Sequence, residues 1–256
     1  MPKIPHEISH ESHIHIGNRW YEKPLFVGLC FAVIIVVCIA IGENTSTSPR
    51  TAGASGVTTT DETPPVRVAA IGDSNTDGTG VDEAERATLS YPAQLQSMLG
   101  SRYEVTNFGV SGSTLITGTN NPYPDHEFFK NSKDANPNVV LIMLGTNDFR
   151  SEVWNVDDYK NQFVTFINQY KNLPTHPKIY ILTPPGYFKE TDEHGTAVLR
   201  DEVVPAVFAI AEKTETEVID IYAATKNHGD VFPDGVHLNA DGYKIIAQTI
   251  YDKLMQ

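Results

Sequence analysis

A serine hydroxyl becomes a useful nucleophile only beside a base, and the base works best when a third group orients it. Four short stretches of this chain hold residues of those types: Gly72-Asp73-Ser74-Asn75, Asn107-Phe108-Gly109-Val110-Ser111-Gly112, Gly145-Thr146-Asn147-Asp148 and Asp234-Gly235-Val236-His237. Ser74 is the candidate nucleophile. His237 is the candidate base, because Asp234 precedes it by three residues and Gly235 lets the chain turn between them. One short loop would then supply both base and orienter. His126, His176, His194 and His228 sit in loops without such a companion. Taken alone, an aspartate and a histidine in a turn more often describe a solvated surface loop. Candidate donors to a developing oxyanion are the backbone N–H of Ser74, that of Gly109, where the absent side chain permits close approach, and the Asn147 amide.

The first stretch carries a competing reading. Asp73, Asn75, Asp77 and Gly78 follow the spacing D-x-N-x-D-G, which opens a calcium-binding loop. Such a loop needs a bidentate acid at its twelfth position. Counted from Asp73 that position is Ala84, with Glu83 and Glu85 each one residue off. The residues before Asp73 read as a strand, where a calcium loop would follow a helix. A turn that exposes Ser74 is the better reading, and its chemistry calls for no metal or cofactor.

Strands and helices must bring these stretches together. Short β-branched or apolar runs fall at Val66 to Ile71, Tyr103 to Asn107, Val139 to Leu144, Ile179 to Thr183 and Glu217 to Ile221. Between them lie helical periodicities. Tyr91 to Leu99 is one, and Tyr159, Phe163, Phe166, Ile167 and Tyr170 share one face of a second. Val198 to Ala211 and Ala240 to Leu254 are two more, the last capped by Asn239 or Asp241. Strands alternating with helices imply a parallel sheet covered on both faces, and ligands bind such sheets at the carboxyl ends of the strands. The first three stretches fall at predicted strand ends, and the fourth is the loop before the last helix.

All four stretches, in this order, resemble the four sequence blocks of the SGNH, or GDSL, hydrolase family. The resemblance runs from about Val66 to the C-terminus, and Gly145-Thr146-Asn147-Asp148 is its more specific part. It implies a flavodoxin-like three-layer α/β/α sandwich with a five-stranded parallel sheet. It implies Ser74 as nucleophile, His237 as base and then acid, Asp234 as orienter, and the Ser74 N–H, Gly109 N–H and Asn147 side chain as the oxyanion hole. Asp73 is given a structural role. The overall look resembles members that deacetylate carbohydrates, such as sialate O-acetylesterase-like and acetylxylan-esterase-like proteins. A lysophospholipase, thioesterase or short-chain lipase is the alternative within the family. A glycan O-acetyltransferase and a catalytically silent sugar-binding module are the alternatives outside hydrolysis. The intact set of Ser74, Asn147, Asp234 and His237 argues against silence. Tyr123, Phe128 and Phe129, in a long loop after the second strand, and Trp154 are candidate walls for a sugar-sized pocket.

The N-terminal quarter has a different texture. Leu25 to Gly42 is a run of 18 residues without a charge or a polar stripe, near the lower length limit for a membrane-spanning helix. Arg19 and Lys23 lie close before it, and Arg50 is the first cation after it. The expected organisation is a cytoplasmic tail at 1–24, a transmembrane signal anchor at 25–42, a flexible linker at 43–65 and the hydrolase domain at 66–256. The catalytic domain would lie outside the cytoplasm. A signal cleaved to release a secreted protein is the alternative. His6, His10, His13 and His15 belong to the tail and read as a solvated segment rather than a metal tract.

Composition excludes some partners. The formal net charge is −13 with no basic stripe, so a nucleic-acid partner is not expected. Only Cys30 and Cys38 are present, both inside the apolar run, which rules out a disulfide framework or a cysteine-held zinc in the remainder. The expected partners are a small-molecule or glycan ester and, through the N-terminal helix, a membrane. No motif reports the oligomeric state.

Overall fold

The structure is a computed structural model and describes residues 63–256. Among these, no helix is long and apolar enough to cross a membrane. The anchor at 25–42 and the tail before it lie outside the described residues, as does the linker except for its last three, exposed, positions.

Five strands form one sheet: β1 (Val66–Gly72), β2 (Tyr103–Gly109), β3 (Val139–Met143), β4 (Lys178–Leu182) and β5 (Glu217–Ile219). All pairings are parallel and the order is β2-β1-β3-β4-β5. That is the flavodoxin-like doubly wound order, in which the chain changes direction across the sheet between β1 and β3. The central strands are buried on both sides, which is why they read as continuous apolar runs rather than as alternation.

The helices, in chain order, are α1 (Ser74–Asp77), α2 (Arg86–Leu89), α3 (Tyr91–Leu99), α4 (Glu127–Asp134), α5 (Val156–Lys171), α6 (Glu193–Val198), α7 (Val204–Thr214), α8 (Ile221–Thr225) and α9 (Ala240–Leu254). Successive strand residues point to opposite faces, and two cores result. Ile71, Ile142 and Ile181 meet Phe163 and Phe166 of α5 and Val207 and Ile210 of α7. Val68, Ala70, Leu141 and Met143 meet Leu95 of α3 and Tyr243, Ile246 and Ile250 of α9. The face expected for α5 is buried in full. Asn239 caps α9 through a bond from the Gly242 N–H at 3.0 Å.

Two elements differ from expectation. The helix read over Val198 to Ala211 is α6 and α7 joined by a π-helical turn, Leu199–Val203. Pro205 follows that turn and has no N–H to continue a regular ladder. The segment after β2, read as loop, contains α4. Its residues EFFKNSKD bury only Phe129 and Ser132, too few to show a period.

Candidate active site

β1 delivers Ser74 through a tight turn. Gly72 is the last strand residue, and Asp73 caps α1 by accepting the Asn75 N–H at 2.9 Å. Gly72 is required sterically: a Cβ there would lie 2.1 Å from Thr76 Oγ1 and 2.5 Å from the Met143 carbonyl oxygen. Ser74 thus opens α1 at the carboxyl edge of the sheet, at the point where the strand order reverses.

The structure brings His237 and Asp234 to Ser74. His237 Nε2 lies 3.0 Å from Ser74 Oγ, and His237 Nδ1 lies 2.7 Å from Asp234 Oδ2. The other carboxylate oxygen, Asp234 Oδ1, accepts the backbone N–H groups of Val236 at 2.9 Å and His237 at 2.7 Å. Burial pushes the Asp234 carboxyl up, but the His237 backbone and ring bonds and the Val236 N–H outweigh it and hold it at about 2. An ionised Asp234 keeps the imidazole proton on Nδ1 and leaves Nε2 to accept the Ser74 hydroxyl proton. Gly235 makes the loop possible. Its φ is +78°, and a Cβ would come within 2.8 Å of the Phe188–Lys189 backbone.

The residues expected to donate to an oxyanion differ from expectation at one position. Asn147, just past β3, donates Nδ2–H to the Ser113 carbonyl at 3.0 Å, and the second proton of that amide has no partner among the described residues. Gly109 is buried in strand β2, and its N–H is taken by the Asn107 side chain at 2.8 Å. It is therefore not free to meet an oxyanion. Its missing side chain serves packing instead, because a Cβ would sit 2.2 Å from the Asp77 backbone nitrogen. Three residues on, Gly112 is exposed, has φ +76°, and its N–H makes no hydrogen bond among the described residues. The Ser-Gly pair after Val110 was the sequence signal for a turn there.

Two buried carboxyls flank this region. Burial pushes Asp73 up to about 6, against bonds from Asn75 and Thr146. Burial pushes Asp148 up to about 7, against the N–H groups of Ile116 and Leu115, with Asp73 adding to the rise. Nothing in the Gly145–Asp148 motif marks a role for Asp148, because its partners lie more than 30 residues away in sequence.

The aromatic residues expected to wall a pocket mostly do something else. Tyr123 is fully buried and donates its hydroxyl to the Phe108 carbonyl at 2.7 Å, and Phe129 stacks on Phe166. Trp154 packs on Tyr159 and donates Nε1–H to Glu202 at 3.0 Å. Phe128 is the exposed one. His126 is half-buried, with Nε2 at 2.8 Å from Asn121 Oδ1. An open groove of about 680 Å³ runs beside the Asp234 loop, lined by Phe188, Lys189, Glu190, Thr191, Asp234 and their neighbours.

A doubly wound sheet that gathers a serine, a histidine and an aspartate at its switch point has the architecture of an α/β acyl hydrolase. Residues 70–245 match the profile of the GDSL-like Lipase/Acylhydrolase family. The chain belongs to that family, a family of carboxylic ester hydrolases. Among curated relatives, an acetylxylan esterase of Xylanibacter ruminicola is 37% identical over 207 residues, covering 72% of this chain and 42% of that protein. The chain thus spans less than half the length of that relative. Among solved structures, an acetylxylan esterase of Geobacillus stearothermophilus aligns with 20% identity and TM-score 0.59, covering 73% of this chain and 93% of that one. An α/β hydrolase from the metagenome of Lake Arreo, Spain, aligns with 20% identity and TM-score 0.60, covering 73% and 94%. These two likenesses speak to the fold.

Proposed function

We propose that the chain is a serine esterase that removes O-acetyl groups from a carbohydrate. The observation that carries the reading is the continuous contact from Asp234 Oδ2 to His237 Nδ1 and from His237 Nε2 to Ser74 Oγ, at 2.7 and 3.0 Å. His237 takes the Ser74 proton as Oγ attacks the ester carbonyl carbon. Asp234 stabilises the imidazolium that forms. The tetrahedral oxyanion takes bonds from the Ser74 N–H, the Gly112 N–H and the free proton of Asn147 Nδ2. His237 then protonates the departing alcohol oxygen. Water, deprotonated by the same ring, attacks the acyl-enzyme and releases the acid and Ser74.

The carbohydrate part rests on the 37% identical acetylxylan esterase and on the open, polar groove beside Asp234. A groove of that kind suits a hydroxyl-rich chain better than a long acyl tail. The test is acetate release from acetylated xylan by the full chain and by Ser74→Ala. Release that vanishes in the variant supports the reading. Brisk hydrolysis of simple aryl acetates without release from any acetylated glycan would overturn the substrate class and leave the esterase.

The N-terminal run at 25–42 is proposed as a signal anchor that holds the catalytic domain outside the cytoplasm. Protease digestion of intact cells would remove a domain held there. Survival of the domain until lysis would contradict this topology.

A further inference from the structure

Segment 110–116 leaves the end of β2 and carries Gly112 at its exposed bend. It is held at both ends by carboxylates to which the reaction gives no role. At its start, Ser111 Oγ–H donates to Asp77 Oδ2 at 2.8 Å. Arg86 Nη1 donates to the same oxygen at 2.6 Å, and the Thr79 hydroxyl lies 2.7 Å from Ser111 Oγ. At its end, the N–H groups of Leu115 and Ile116 donate to Asp148 Oδ2 and Oδ1 at 3.1 and 2.8 Å. Asp148 is fully buried. Asn147, its neighbour in sequence, donates to the Ser113 carbonyl between these two points.

We propose that Asp77 and Asp148 are positioning residues, two anchors that fix the direction of the Gly112 N–H toward the oxyanion. The proposal rests on the reading of Gly112 as an oxyanion donor. A donor stabilises a transition state efficiently only if it is already aimed, since no free energy is then lost in turning it. A glycine at positive φ holds no direction of its own, so its flanks must supply it. Ionised Asp148, the form present above about pH 7, suits the Leu115–Ile116 end because its two oxygens accept from two adjacent N–H groups at once. An asparagine there offers one acceptor and turns an NH2 toward the second N–H. Misplacing a reacting or stabilising group by about 1 Å costs on the order of 100-fold in rate.

The test uses the full chain labelled with ¹⁵N at glycine, in wild type, Asp148→Asn and Ser111→Ala. Ser111 is exposed, so its variant folds even if Asp148→Asn does not. Two quantities are read: kcat and KM for p-nitrophenyl acetate, and the Gly112 amide resonance before and after a fluorophosphonate is attached to Ser74. The phosphonyl oxygen stands in for the oxyanion. In wild type the Gly112 proton should move downfield on attachment. In both variants that movement should shrink, and kcat should fall about 10- to 100-fold with KM nearly unchanged. Variants that keep wild-type kcat, or that lose kcat while the Gly112 shift stays intact, would overturn the anchoring role. A wild-type Gly112 amide that ignores phosphonylation while Gly109 responds would overturn the oxyanion reading itself, and the anchors with it.

Discussion

Asp234 grips His237 in two places. One oxygen takes the ring Nδ1–H at 2.7 Å and the other takes the backbone N–H of the same residue, also at 2.7 Å. The imidazole is therefore fixed relative to the chain that carries it, and the loop itself is held from outside by the Phe188 N–H, which donates to the Gly235 carbonyl at 2.7 Å. A three-residue spacing with a glycine inside is what allows a carboxylate to reach both groups.

Replacing Asp234 with asparagine separates these two tasks. The amide oxygen goes on accepting the backbone N–H groups of Val236 and His237, so the loop holds its shape. The amide nitrogen now faces Nδ1, which must accept rather than donate, and the ring proton moves to Nε2 against the Ser74 hydroxyl. The expected loss in kcat is on the order of 1,000- to 10,000-fold, with little change in unfolding temperature. Steady-state kinetics beside a thermal melt checks this, and a loss under about tenfold contradicts the orienting role.

Asn147→Ala removes the side-chain amide proposed as a donor to the oxyanion. Turnover should fall on the order of 100- to 1,000-fold while KM changes little, because the bond matters only once the oxyanion forms. A rise in KM at unchanged kcat would mean that Asn147 binds ground-state substrate instead.

Gly235→Ala tests whether the loop geometry matters to the chemistry. Alanine at φ +78° is strained by about 1–2 kcal/mol, and its Cβ would press on the Phe188–Lys189 backbone. Relief requires the Asp234–His237 loop to move. Both the unfolding temperature and kcat should drop. An unfolding temperature that drops while kcat holds would show that the loop tolerates displacement.

Stability should change with pH in a direction set by the buried acids. Asp73 and Asp148 are raised from 3.8 to about 6 and about 7, so between those limits the folded chain binds more protons than the unfolded one. Their contribution is therefore favourable at low pH and is lost as pH rises through about 7. Asp234, lowered to about 2, acts oppositely, and its contribution is lost only as pH falls below 3.8. Urea unfolding at a series of pH values should place maximum stability on the acid side of neutrality. In Asp148→Asn the decline between pH 3.8 and about 7 should flatten. An unchanged decline would mean that Asp148 is ionised in the folded chain.

Much of the site could be read from the chain before any coordinates. The strand ahead of Ser74 and the Asp234–His237 spacing are local features, and local features leave marks in sequence. Gly109 and Gly112 lie three residues apart, and only the true end of β2 shows that the N–H of the first is taken by the Asn107 side chain. The contacts of Asp148 were hidden because it bonds to backbone N–H groups, which every residue but proline has. The α4 helix was hidden because its exposed residues outnumber its buried ones. Trp154 and Tyr123 look like pocket walls by type, yet packing against Tyr159 and bonding to Phe108 claim them for the interior and its margin.

The most direct measurement is the site and rate of phosphonylation. The full chain and its His237→Ala variant would be treated with a fluorophosphonate and mapped by peptide mass spectrometry. One adduct on Ser74, formed rapidly in the wild type and at least about 1,000-fold more slowly without His237, is the predicted result. An adduct elsewhere, or equal rates in the two proteins, would contradict the assignment of Ser74 as a nucleophile activated by His237.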